Sequence, residues 1–147
     1  MPLHGTYAPS TSQWAREQAE KYEASNGTEG GDLRGMPIIV LTSVGAKSGD
    51  LRKIALMRVE FNGSYAVIAS KGGAEENPTW YHNLVANPHV ELQDGAKKID
   101  YFAHEAHDVE RENWWRHAVE AFPDYADYAR LTRRLIPVFV LTPVPVA

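Results

Sequence analysis

The stretch RKIALMRVEFNGSYAVIAS, Arg52–Ser70, decides the fold. Two runs rich in aliphatic and aromatic residues flank Asn62-Gly63, the dipeptide that best supplies the two positive φ values of a type I′ turn. The expectation is an antiparallel hairpin. HVELQ, Asp94-Gly95 and KKIDYFAHEA repeat the pattern further on. PIIVLTSV, from Pro37, has the length and β-branching of a buried strand, and IPVFVLTP, from Ile136, returns as a last one. Strands joined mostly by hairpins, with few helices between them, disfavour a doubly wound parallel sheet. They favour an α+β fold, an antiparallel β-barrel with helices packed outside.

The helices are legible from their ends. STSQWAREQAEKYEASNG opens on capping residues and closes on Asn26-Gly27, so a helix is expected from Thr11 or Ser12 to Ser25, with Trp14, Ala15, Ala19 and Tyr22 as its apolar face. The glycine-rich connector TEGGDLRGM follows, which divides the chain into an N-terminal helix and connector over 1–35 and a barrel domain over 36–147. Asn77 is expected to cap a short helix with Pro78 at its first position, and Asp108 to cap VERENWWRHAVEAF. Pro123 interrupts that helix, and DYADYARLTRR continues as another.

Composition narrows the function. With 44% hydrophobic and 23% charged residues over 147 positions, the chain is a globular domain with a real core. A net charge of -4 argues against nucleic acid as a partner, since a phosphate backbone demands a basic face. The absence of cysteine removes disulfides, thiolate metal sites and thiol nucleophiles, so redox chemistry must come from a cofactor. No apolar run approaches the roughly 20 residues of a transmembrane helix, and MPLHGTYAPSTSQW lacks the layout of a signal peptide. A cytoplasmic location is expected.

Lys47-Ser48 invites a phosphate-binding P-loop, but the glycine positions of that motif hold Ala46 and Leu41, and Leu51 onward alternates as a strand instead of opening a helix. Two readings remain: a solvated turn, or an anion site in which Gly45 and Gly49 admit backbone N–H groups while Lys47, Ser48, Arg52 and Lys53 supply charged and polar donors. ASKGGAEENPTWY repeats that chemistry where a strand meets a helix, with Ser70, Lys71, Gly72 and Gly73 in succession. HEAH, His104 to His107, is one residue short of a zincin pair and continues a strand, so no metal is expected. FPDYADYARLTRR places Phe122, Tyr125 and Tyr128 on one helical side, either as core or as a pocket wall of apolar rings and hydroxyl tips.

Taken together, GAKSGDLRKIALM, VIASKGGAEENPTWYHNLVANPHVEL and FPDYADYARLTRRLIPVFVL resemble the deazaflavin-dependent nitroreductase family, over about Met36 to Pro143. The resemblance implies a split β-barrel that uses coenzyme F420 (8-hydroxy-5-deazaflavin) to pass a hydride to a quinone, an enone or a nitroaromatic. It implies that Lys47, Ser48, Gly49, Arg52 and Lys53 hold the cofactor's phosphate and acidic tail, that Ala69, Ser70, Lys71, Gly72 and Gly73 lie along its ring and linker, and that Asn77, Pro78 and Trp80 form the far wall. Ser70, Tyr125 and Tyr128 become candidates for hydrogen bonding to the acceptor, in a substrate pocket shared with Met57 and Phe122. Met57 and Phe122 stand where phenolic aromatics often occur in relatives. The partner implied is a small-molecule hydride acceptor, with the protein a monomer or homodimer and any peripheral membrane contact made through the N-terminal helix. An FMN-dependent oxidoreductase on the same barrel and a non-catalytic F420 carrier are the alternatives.

Overall fold

The computed structural model describes residues 3, 5–33 and 35–144, so Arg34 of the expected connector and the last three residues of the expected barrel lie outside the described residues. Strand β1 (Asp32–Leu33) turns back at Gly35 onto β2 (Met36–Val44), so the glycine-rich connector itself ends in a small hairpin. Strands β3 (Leu51–Met57), β4 (Glu60–Phe61) and β5 (Ser64–Ile68) follow, then β6 (His89–Asp94), β7 (Lys97–Glu105) and β8 (Val138–Pro143). Among the described residues the helices are α1 (Gln13–Ala24), α2 (Thr79–Ala86), α3 (Asp108–Ala121) and α4 (Asp124–Leu131), with a 3₁₀ turn at Lys71–Gly73.

The named strands pair antiparallel, in the order β3-β2-β6-β7-β8-β5-β4, and an isolated parallel bridge joins Tyr7 to Leu51 of β3. Alternation along each strand sorts its side chains to two faces. Ile39 and Leu41 of β2, Val67 of β5, Val90 and Leu92 of β6, Tyr101 of β7 and Phe139 of β8 fill the barrel interior, closed at one end by Trp80 and Leu84 of α2. Ile38, Val40, Ala66, Ile68, Val138 and Val140 face outward and are covered by Ala19 and Tyr22 of α1, Ala118 of α3 and Tyr125 of α4. Both faces of these strands are therefore buried, which is why PIIVLTSV and IPVFVLTP read as continuous apolar runs instead of alternating ones.

Four local expectations are corrected. Asn62 and Gly63 do turn with φ of 53° and 81°, but the second hairpin turns at Gly95-Ala96, because Asp94 still pairs with Lys97. Asn77 caps no helix: Pro78 occupies the cap position of α2, and the Asn77 amide oxygen accepts from Arg134 at 2.9 Å. His107, not Asp108, is the cap of α3. Trp14 is 61% exposed, since α1 docks through Ala19 and Tyr22, and the Tyr22 hydroxyl accepts the Gly95 N–H at 2.6 Å.

Candidate functional site

The ring of strands closes at one end and opens at the other. Past β3 the chain stays beside β5, where Val59 O accepts Ala66 N–H at 2.9 Å and Phe61 pairs with Ser64. Beyond that rung the two strands part. Leu51 donates its N–H to Thr6 O at 2.8 Å and accepts Ala8 N–H at 2.9 Å, while Arg58 N–H turns the other way, to Pro37 O of β2. Backbone groups alternate along a strand. Lys53, Ala55 and Met57 therefore turn N–H and C=O toward the opening. On β5, Ala69 N–H bonds across to Pro137 O on the β8 side, so Ile68 turns its N–H and C=O, and Ser70 its N–H, toward the same opening, while the Ser70 carbonyl accepts Gly73 N–H at 2.9 Å. Two strand edges with free donors and acceptors face each other across a cleft.

That cleft holds two adjoining cavities of about 470 and 390 Å³, which share Ile54, Lys71, Pro78 and Trp80 as walls. The outer one carries the cations. Its rim is the N-terminal strap, Ala8, Ser10 and Thr11, and its charges are Arg52, Lys53 and Lys71. The Arg52 guanidinium donates to Ala8 O at 3.2 Å and Pro9 O at 3.3 Å, which stations it at the rim. Lys53 bonds to Glu23 of α1, and Lys71 pairs with Glu76 at 3.0 Å on the exposed side. Asn83, buried on α2, accepts the Ala46 N–H at 2.9 Å and ties the β2–β3 loop to the helix.

The inner cavity is apolar and aromatic. Met57 and Ile68 form its floor, and Ser70, Gly72, Phe122, Tyr125 and Tyr128 line it around them. The three rings pack edge-on or tilted at 5.0, 6.0 and 6.3 Å between centroids, geometry that favours their quadrupoles. Burial, with a smaller contribution from neighbouring Tyr128, pushes the Tyr125 hydroxyl well above the usual phenol range. It stays protonated at neutral pH.

Between the cavities sits the turn Ser70–Gly73. Lys71, Gly72 and Gly73 take φ of 46°, 64° and 87°, three left-handed residues in succession, of which only the glycines do so without strain. Ser70 is buried at 7% exposure. One side chain braces this turn: Arg134 donates to the carbonyls of Ala69, Ser70 and Ala74 and to the Asn77 side chain, at 2.9 to 3.1 Å.

The structure brings together Arg52, Lys53, Met57, Ser70, Lys71, Gly72, Pro78, Trp80, Phe122, Tyr125 and Tyr128, residues separated by as many as 76 positions, around one cleft. It does not bring six others to the cavity walls. Lys47, Ser48 and Gly49 lie on the exposed β2–β3 loop, where Ser48 accepts from Asp50 N–H at 3.1 Å. Ala69 is fully buried, and Asn77 is taken by Arg134. Gly73 faces α4 instead, where a Cβ would stand 3.0 Å from Tyr128 O. Sequence reasoning missed Arg134, Asn83 and the N-terminal strap. The strap left a weak signal only, since Ala8 to Thr11 lacks both helical and strand periodicity.

A family model described as F420H(2)-dependent quinone reductase matches residues 14–143. The chain is 37% identical over 125 residues, 82% of this chain and 84% of the other, to an F420H(2)-dependent quinone reductase of Mycobacterium tuberculosis. Among solved structures it resembles an F420-H2 dependent reductase, with a TM-score of 0.69 and 54% identity over 72% of this chain and 94% of that one. A domain-swapped dimer is similar with a TM-score of 0.72 and 49% identity, over 90% of this chain and 100% of that one. The match runs through both strand edges of the cleft and the whole aromatic wall, and the chain belongs to the F420H(2)-dependent quinone reductase family, as one of its F420-dependent oxidoreductases.

Proposed function

We propose that this chain reduces a flat, electron-poor carbonyl acceptor of the quinone class in the inner cavity, with F420 held along the cleft between β3 and β5. The observation that carries this reading is the split itself. A planar heterocycle with polar edges is matched by N–H and C=O groups of Lys53, Ala55 and Met57 on one side and by those of Ile68 with the Ser70 N–H on the other. A polyanionic tail is matched by Arg52, Lys53 and Lys71 and, further out, Lys47, Ser48 and Gly49. The donor set fits the cofactor.

When bound, reduced F420 supplies the hydride. The chain's own residues do the rest. Lys71, Gly72 and Ser70, backed by Ala69 and Gly73, shape the ring-facing turn, while Pro78 and Trp80, set by Asn77, close the far wall. Met57, Phe122 and Tyr125 confine the acceptor over that ring and exclude water. Ser70 and Tyr128 both line the inner cavity, with hydroxyls suited to donate hydrogen bonds to oxygen as charge develops on it. Tyr125, held protonated by burial, supplements them.

Fluorescence titration with F420 and with FMN, followed by single-turnover oxidation of bound F420H₂ by a simple naphthoquinone, tests the proposal. F420 should bind more tightly than FMN, and oxidation should depend on the quinone. Tight binding of FMN with none of F420 would return the barrel to flavin chemistry. F420 binding without quinone-dependent oxidation would make the protein a carrier.

A further inference from the structure

We propose that Arg134, which lines neither cavity, is a positioning residue for the cofactor and sets the amide face that the Ser70 turn offers to the cleft. This inference rests on the F420 reading above. Arg134 Nε donates to Ala74 O at 2.9 Å, Nη2 to Ser70 O at 2.9 Å, and Nη1 to both Ala69 O at 3.1 Å and Asn77 Oδ1 at 2.9 Å. All four acceptors belong to one loop, Ala69 to Asn77. Among the described residues no carboxylate lies within ion-pair distance of Arg134, whose hydrogen bonds go to backbone and amide oxygens while Glu75 adds a favourable charge from further off.

The consequence follows from peptide geometry. No peptide bond among the described residues is cis, and in a trans peptide the C=O and the next N–H point opposite ways. With the carbonyls of Ala69 and Ser70 drawn to Arg134 on the β8 side, the N–H groups of Ser70 and Lys71 are turned away from it, toward the split. Arg134 thereby fixes two carbonyls away from the cleft, the Ala69 one on the side its N–H already takes toward Pro137 and the Ser70 one shared with Gly73 N–H, and leaves donors facing the cleft, which is what an anionic or carbonyl-rich cofactor edge requires. The turn closes on its own backbone through Gly73 N–H to Ser70 O at 2.9 Å and Ala74 N–H to Lys71 O at 3.2 Å, but it carries strain that the brace offsets, because Lys71 is a non-glycine residue at φ 46° between Ser70 in the right-handed region and two left-handed glycines. The forked guanidinium is also the group that suits this role: lysine presents one point charge and cannot hold divergent carbonyls in fixed directions.

Titration of Arg134→Lys with F420 beside thermal unfolding tests this, with Val90→Ala of the barrel interior as a variant destabilised elsewhere. Arg134→Lys should raise the F420 dissociation constant about tenfold or more, Val90→Ala should leave it within twofold at a comparable loss of melting temperature, and millimolar guanidinium should restore part of the affinity of Arg134→Ala. Should the lysine variant fail to fold, Arg134→Gln carries the same comparison. Wild-type affinity in a folded Arg134 variant overturns the inference while leaving the F420 reading intact. Failure of the wild-type protein to bind F420 overturns that reading, and this inference with it.

Discussion

The Ala66 N–H donates to Val59 O at 2.9 Å, and this is the last rung before β3 and β5 separate. One step further along the same register, Met57 and Ile68 face each other across open space and become the floor of the inner cavity. The barrel thus makes its site by leaving two edges unpaired, a liability in a sheet unless something covers them. Here the N-terminal strap covers the start of β3, and the rest is left for a ligand.

Arg52 stands at the outer rim and Lys47 on the exposed loop beyond it. Arg52→Ala should raise the F420 dissociation constant about tenfold, corresponding to about 1.4 kcal/mol, whereas Lys47→Ala should cost about threefold or less. Both losses should shrink in high salt, because screening weakens the exposed contacts. Titration at low and high ionic strength checks the order of the two variants; equal losses would put the cofactor tail over the loop.

Ser70 and Tyr128 both line the inner cavity. Tyr128→Phe and Ser70→Ala should each lower single-turnover reduction of a quinone by about 10²-fold, less where water enters, with F420 affinity nearly unchanged. Normal turnover in both would remove them from the mechanism and leave the aromatic wall a packing feature.

Gly73 has φ of 87°, and an added Cβ would stand 3.0 Å from both Tyr128 O and Leu131 Cβ. Gly73→Ala combines a left-handed backbone with a clash against α4, so it should destabilise the protein by about 1–3 kcal/mol. Calorimetry should record a melting temperature lower by several degrees. Gly72, whose Cβ would meet nothing within 4 Å, should tolerate alanine better.

Glu23 anchors α1 to the barrel through Lys53 and Lys98. Burial pushes its carboxyl up, but hydrogen bonds and charge from the two lysines outweigh that and bring it below the ordinary value of 4.5. A carboxylate depressed on folding contributes stability that is present above its unfolded pKa and lost as pH falls through the folded one. Docking of α1 should therefore weaken below about pH 4.5. Glu23→Gln should flatten that acid-side loss in thermal melts between pH 3 and 6, an unchanged slope counting against the contact.

The antiparallel order, the two hairpins and the helical segments were legible in the sequence because each rests on local chemistry: Asn62-Gly63 for positive φ, Ser12 for a cap, and apolar runs for strands buried on both faces. Met57, Ser70, Lys71, Trp80 and the Phe122–Tyr128 stripe were legible as site candidates from composition and family resemblance, because the chemistry of a site leaves its residue types in the chain. Local rules misplaced the cap at Asn77, whose oxygen bonds to a side chain 57 positions later. What only the tertiary structure decided is which strand edges stay unpaired, which side chains reach the cleft, and that Arg134 instead of Arg133 turns inward to brace the Ser70 turn. Those outcomes depend on contacts between distant segments, and no periodicity within a short window encodes the direction in which a backbone edge or a guanidinium finally points.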